Sequence, residues 1–265
     1  MDAKLEKLIL NLKKMKKVAI AFSGGLDSTF LAKIAYDTLK SNALAITIAS
    51  DLHPQWEQKQ AIKLGKKIRI KHIILNIDEN DIENFSENTK DRCYFCKNEI
   101  FAKIIQIAKE NDINNVLDGS TIDDKFDYRP GLKALKELGV ISPLKTVGFN
   151  KKEIRILSKN MDLETWDKPS FACLASRFPY GIKITKDRLK TVENAEDFLL
   201  SLGFKQFRVR YHNEIARIEV LKDDFKKIIT NSESIIKKFK KLGFKYVTLD
   251  IQGYRSGSLN EVLDL

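Results

Sequence analysis

Residues 18–22, an apolar run, lead straight into Ser23-Gly24-Gly25-Leu26-Asp27-Ser28, and that turn into residues 29–35, whose apolar positions recur at helical spacing. The run reads as a buried strand and the segment after the turn as a helix. A strand that turns into a helix this abruptly leaves the first helical amides without intrahelical partners, where the helix dipole adds positive potential. Such a turn is an anion site suited to phosphate. Gly24 and Gly25 let the backbone approach closely, and the Ser23 and Ser28 hydroxyls add donors. The turn is not a Walker A loop, because the G-x-x-x-x-G-K-S/T spacing and its lysine are absent.

The rest of the chain repeats the pattern. Residues 5, 8, 9 and 12 mark a first amphipathic helix, 43–48 a second strand, 55–65 a helix stopped by Gly65, and 72–77 a third strand. A polar stretch over 78–92 reads as a surface loop before a helix over 98–110, and 115–117 is a fourth strand. Strands alternating with helices of this length predict an α/β fold with a doubly wound parallel sheet, Rossmann-like. Its ligand belongs outside the carboxyl ends of the strands. That places Leu26, Gly119, Thr121, Asp124 and Arg129 with the glycine turn as nucleotide-binding candidates. Asp123, Asp124 and Asp127 either bind a magnesium ion or cap a turn. Residues 140–144 read as a buried return and 151–160 as the last helix of this domain, taken as 1–165. A linker over 166–182 carries Cys173, and Trp166 reads as a packing anchor. A smaller C-terminal α+β domain, 183–265, follows: a helix over 186–202, paired strands over 207–211 and 215–220, a helical pair, and a strand over 245–251.

With 265 residues, 43% of them hydrophobic, the chain has ample apolar material for such a core. The net charge of +11 suits nucleotides, phosphorylated small molecules or RNA; a lysine-rich solvated surface accounts for it equally. No apolar stretch approaches the roughly 18 residues that span a bilayer. The charged amphipathic N-terminus lacks a signal-peptide core, so no membrane association and a cytoplasmic location are expected. Three cysteines, an odd number in such a chain, argue for a metal or catalytic role over a disulfide framework. Cys93-x-x-Cys96 alone is a redox pair or half a zinc site. His53, His72 and His212 lack ligand-like spacing to it and read as structural or surface residues.

The turn resembles the S-G-G-x-D-S loop of the ATP-pyrophosphatase (PP-loop) superfamily, whose members split ATP between the α and β phosphates and adenylate their substrate. Four further stretches narrow the resemblance: R-C-Y-F-C-K over 92–97; D-G-S-T over 118–121 with D-Y-R-P-G over 127–131; K-P-S-F-A-C-L-A-S-R-F-P-Y-G over 168–181; and R-V-R-Y-H over 208–212 with A-R-I-E over 216–219. Together, and over nearly the whole chain, they resemble the LarE family, ATP-dependent sulfur transferases of nickel-pincer cofactor assembly. The resemblance implies that pyridinium-3,5-biscarboxylic acid mononucleotide is adenylated and converted to the bisthiocarboxylic acid, one carboxylate at a time. Ser23, Gly24, Gly25, Asp27 and Ser28 would hold the departing pyrophosphate with Mg2+. Arg177, Arg208 and Arg210 are the natural clamps for the substrate's phosphate and carboxylates, since guanidinium binds these bidentately; each is alternatively a surface ion pair. Glu196 either faces the same site or is a solvated helix residue. One branch of the family sacrifices the sulfur of a single cysteine matching Cys173. This chain also has Cys93 and Cys96, and so resembles the branch that holds a 4Fe-4S cluster through three cysteines, leaving one iron open for an extra sulfide. A sulfide source and a homo-oligomeric assembly are implied as well.

Three other readings share some of these features. An iron–sulfur tRNA thiolase would share the loop, the cysteines and the basic surface, but the chain lacks extra zinc-ribbon C-x-x-C pairs. An amide ligase resembling NAD synthetase would have no use for three cysteines. A nucleotide-binding sensor would not need the full loop.

Overall fold

Helix α1 (Ala3–Met15) buries Leu5, Leu8 and Leu12 on one stripe and is followed by strand β1 (Val18–Ala21), whose first three residues are fully enclosed. These belong to a computed structural model that describes residues 3–126 and 130–263. The chain forms two units, Met1–Glu83 with Cys93–Phe171, and Asn84–Arg92 with Ala172–Leu265.

In the first unit β1 leads into α2 (Leu26–Leu39), then β2 (Ala43–Ala49), α3 (Gln55–Ile68), β3 (Lys71–Asn76), α4 (Arg92–Glu110) and β4 (Asn115–Leu117). Helices α5 (Pro130–Glu137), α6 (Pro143–Val147) and α7 (Lys151–Asn160) complete it. The four strands form a parallel sheet in the order β3-β2-β1-β4. This is the expected α/β architecture. Because β2 and β4 flank β1 on opposite sides, the winding reverses between β1 and β4, and the crevice at their carboxyl ends is where such sheets take ligands. Alanines and β-branched residues fill the central strands, and α1, α2 and α7 pack Leu8, Phe30, Leu31, Ile34 and Ile154 into the same core. A capping box at Asn150 and Glu153 starts α7, each side chain accepting from the other's backbone N–H at 2.9 Å.

The second unit carries α8 (Lys186–Ser201), β5 (Phe207–His212), β6 (Ile215–Val220), α9 (Phe225–Thr230), α10 (Ser232–Lys241) and β7 (Tyr246–Leu249). Strands β5 and β6 form the expected hairpin; β7 is shorter than the stretch over 245–251 and joins β6 in parallel.

Several local expectations are corrected. Gly65 does not stop α3; the helix runs on to Ile68 and ends at Arg69, which takes the left-handed conformation. The glycine serves a close approach, since a Cβ there would lie 2.5 Å from Nδ1 of His72. Helix α4 starts at Arg92, six residues before the expected start, so Cys93 and Cys96 lie in its opening turns. The stretch over 78–92 is no plain surface loop: Ile82, Phe85, Asn88 and Arg92 are buried. Asn88 donates to the carbonyls of Phe178, Pro179 and Ile182, and Arg92 to those of Ala175 and, through the side chain, Asn88. Residues 140–144 split between one parallel bridge, Ile141 to Leu117, and the start of α6 at Pro143. Trp166 is 39% exposed beneath the Lys159 ammonium, not a packing anchor.

Candidate active site

The glycine turn is held on several sides. Phe22 N–H extends the β1 ladder to the Ile46 carbonyl. Beneath it, Thr47 gives its hydroxyl proton to the Phe22 carbonyl at 2.5 Å, so the 2.7 Å contact with His72 is a bond donated by the ring Nε2–H. Burial pushes the His72 pKa down, keeping the ring neutral in this role; desolvation likewise lowers that of the half-buried His53, to about 4. Gly24 sits at φ +67°, and a Cβ there would meet the Cα of Ala61 at 2.8 Å. The Ser23 and Ser28 hydroxyls lie 3.0 Å apart, and Gly25 N–H donates to Ser23 Oγ at 3.3 Å. Gly25 is the N-cap of α2 and no side chain caps that end, so the first-turn amides of Leu26, Asp27 and Ser28 are presented as an anion cradle.

The β4 loop closes against this turn: a Cβ on Gly119 would lie 3.1 Å from Ser28 N and 3.4 Å from Asp27 Cβ. The sheet thus brings Gly119 to Ser23–Ser28, as expected for strands on either side of the winding reversal. Thr121 is buried, and its N–H donates to Asp124 Oδ2 at 2.7 Å. Asp124 therefore caps this turn, and Asp123 accepts from the Lys151 N–H at 2.7 Å, at the start of α7. Asp127 and Arg129 lie outside the described residues.

Asp27 is the unusual carboxylate. Burial raises its pKa to about 6, with Asp124 and Asp123 adding to the rise and Lys151 and Arg155 opposing it. One of its oxygens, and one of Asp118, is buried without a hydrogen-bond partner. Two such oxygens beside an anion cradle fit Mg2+, which takes one or two carboxylates and completes its shell with phosphate oxygens and water. Because the folded pKa of about 6 lies above the ordinary 3.8, the cost of ionising Asp27 is fully present above about pH 6, shrinks as pH falls from 6 towards 3.8, and is gone below that. Asp27→Asn is therefore expected to raise the melting temperature of the nucleotide-free protein at mildly alkaline pH and to leave it unchanged in acid; a gain of equal size at both would contradict this assignment.

The cysteines occupy two places. Cys93 and Cys96 are half-buried, one helical turn apart on α4, with Gly131 of α5 packed so closely that a Cβ would lie 3.1 Å from the Cys93 carbonyl. Cys173, also half-buried, belongs to the second unit and precedes a short 3-10 turn, Leu174–Arg177. Among the described residues no three His, Cys, Asp or Glu side chains gather as a metal site. By donor chemistry three thiolates fit an iron–sulfur cluster, and two of them already share a helical face.

The expected substrate arginines are interior. Arg177 is 0% exposed and closes its fork on Glu196, Nε to Oε1 at 2.8 Å and Nη2 to Oε2 at 2.9 Å. Its Nη1 donates to the carbonyls of Ala172 and Cys173 and to Ser176 Oγ. Arg177 is neither a surface ion pair nor an open clamp; it ties the Cys173 loop to α8. Glu196, not a solvated residue, also accepts from the Val209 N–H at 2.9 Å. Arg210 pairs bidentately with Glu219 at 3.0 and 2.8 Å and also reaches Ser176 O and Ser258 Oγ. Arg208 lies over the Tyr254 ring and donates to the Phe207 carbonyl; burial, and then the Arg177 guanidinium, lower its pKa to about 10. Glu219 and Ser258 are partners that the sequence reading missed. For Glu219 the alternation Arg217-x-Glu219 opposite Arg208-x-Arg210 on paired strands was the available signal.

Residues 3–114 match the NAD synthase family model. The chain is 37% identical to the pyridinium-3,5-bisthiocarboxylic acid mononucleotide synthase of Lactiplantibacillus plantarum, over 97% of this chain and 93% of that one. An uncharacterized Synechocystis sp. protein is 41% identical over 99% of both chains, and one from Methanocaldococcus jannaschii 35% over 96% and 98%. No described helix is long and apolar enough to cross a membrane. An uncapped phosphate cradle at the sheet's winding reversal, on a chain alike over nearly its whole length to that synthase, places this protein in the LarE family of PP-loop, ATP-dependent sulfurtransferases.

Proposed function

We propose that the protein converts the two carboxylates of pyridinium-3,5-biscarboxylic acid mononucleotide to thiocarboxylates, at the expense of one ATP and one sulfide equivalent for each. The observation that carries this reading is the full-length likeness to the L. plantarum synthase. In each cycle a substrate carboxylate oxygen bonds to the α phosphorus of ATP, and the α–β bridging bond breaks to release pyrophosphate. A sulfur nucleophile then bonds to the acyl carbon, and the acyl–oxygen bond breaks to release AMP. The α2 amides with Ser23 and Ser28 hold the phosphates, and Asp27 and Asp118 hold Mg2+, so that charge building on the leaving pyrophosphate is met by fixed donors. Gly119 and Thr121 shape the facing wall; Arg129 is a nucleotide-binding candidate from the sequence alone. Arg208, a buried guanidinium beside the Arg177 and Arg210 cations and the Glu196 carboxylate, is the second-unit group assigned to the substrate's phosphate or a carboxylate. Arg177 and Arg210, each already paired, position the loop of Cys173 and Ser176.

Cys93, Cys96 and Cys173 would hold a 4Fe-4S cluster. When bound, such a cluster supplies inorganic sulfide at the iron that no cysteine ligates. Replacing any one of the three by Ala is expected to abolish sulfur transfer, to leave ATP binding intact, and to remove the brown colour of anaerobically purified protein. A colourless anaerobic preparation that still transfers sulfur would contradict the cluster role.

A further inference from the structure

Lys168 opens the K-P-S-F segment. Its side chain is buried in the first unit, where Nζ donates to the Gly24 carbonyl at 3.0 Å and to Gln60 Oε1 at 2.7 Å. Glu57 Oε1 lies 3.8 Å away, and the Trp56 ring centroid 5.5 Å. Burial lowers the lysine pKa and Glu57 opposes that. The segment around it is pinned as well: Arg155 donates to the carbonyls of Trp166 and Lys168, and Phe171 meets Trp56 edge-on at 5.1 Å. Enclosing an ammonium ion is costly unless every donor has a partner, and here one partner is the main chain of the phosphate loop.

The direction of that bond matters. In a trans peptide the carbonyl and the following N–H point to opposite sides. With the Gly24 carbonyl turned to Lys168, the Gly25 N–H faces the Ser23 and Ser28 hydroxyls, which its own bond to Ser23 Oγ reflects. A peptide between two glycines turns over at little steric cost, because glycine accepts either sign of φ. Turned over, it would aim a carbonyl oxygen at the bound anion. We propose that Lys168 is a positioning residue for the ATP-cleaving step: its ammonium locks the Gly24–Gly25 peptide with the amide toward pyrophosphate and the carbonyl away from it. The inference rests on the adenylating reading and deepens it.

The test titrates the full-length protein with magnesium pyrophosphate, ATP and AMP. Lys168→Met keeps the side chain's length over Trp56 and removes the charge and the donors. It is expected to weaken pyrophosphate about tenfold, the effect of one hydrogen bond from a charged group, and to leave AMP unchanged. Gln60→Leu, which frees the second tether, should weaken pyrophosphate about threefold with the same selectivity, and decides the matter should Lys168→Met not fold. Equal losses for pyrophosphate and AMP would reduce Lys168 to a structural role, and unchanged pyrophosphate binding in the variants would overturn the proposal. A wild-type protein that binds neither ATP nor pyrophosphate would instead overturn the adenylating reading beneath it.

Discussion

Gly24→Ala is expected to lower ATP-dependent turnover by about 100-fold or more, the scale on which misplacing a reacting group by an ångström acts. Two independent features demand glycine there. The backbone is left-handed at φ +67°, which costs an L side chain roughly 1–2 kcal/mol. The new methyl group would also stand 2.8 Å from the Ala61 Cα, a main-chain atom that α3 holds in place. The loop must therefore lift from α3, and the Gly25 amide and the Ser23–Ser28 hydroxyl pair move with it. Gly139→Ala is the control: its φ is +70°, but nothing lies within 4 Å of the added carbon. That variant should lose about 1 kcal/mol of stability and keep its turnover. Comparable turnover in the two variants would show that the loop does not need its present seat.

The largest stability effect is expected at Glu196. Truncation to Ala leaves the enclosed Arg177 guanidinium without its carboxylate and removes the acceptor of the Val209 N–H. Breaking a buried pair from one side costs about 3–5 kcal/mol, read as a lower denaturation midpoint of the second unit. The double variant Arg177→Met with Glu196→Leu should recover most of that loss, since an apolar pair of similar volume needs no charge compensation. It should not recover sulfur transfer, because the Ala172 and Cys173 carbonyls lose the Arg177 donors that fix their loop. A Glu196→Ala protein as stable as the wild type would contradict the bonding described.

What the sequence made legible follows from how each feature is encoded. The strand–turn–helix around Gly24 was readable because hydrophobic period, glycine placement and hydroxyl spacing all lie within a dozen consecutive residues. Gly65 was misread because a glycine at a helix end and a glycine beneath an aromatic ring look alike in one dimension; only His72, seven residues on, separates them. The start of α4 was hidden by Cys93, Tyr94, Phe95 and Cys96, types that rank low in helix propensity. Around the cysteine loop the arginines stood out as a cluster, yet sequence spacing cannot say whether a guanidinium faces solvent, a ligand or a carboxylate. Glu196 and Glu219, 19 and 9 residues from their partners, decide that, and both lie inside. Lys168 was visible within its motif but mute, since its partner is a main-chain carbonyl 144 residues earlier.

The most direct test of sulfur transfer is an anaerobic reaction of the intact protein with ATP, sulfide and pyridinium-3,5-biscarboxylic acid mononucleotide, followed by mass spectrometry of the product. Stepwise exchange of one and then two oxygens for sulfur, with one AMP and one pyrophosphate released per exchange, is the predicted result. Pyrophosphate release with no gain of sulfur, or the same exchange on tRNA in place of the mononucleotide, would contradict it.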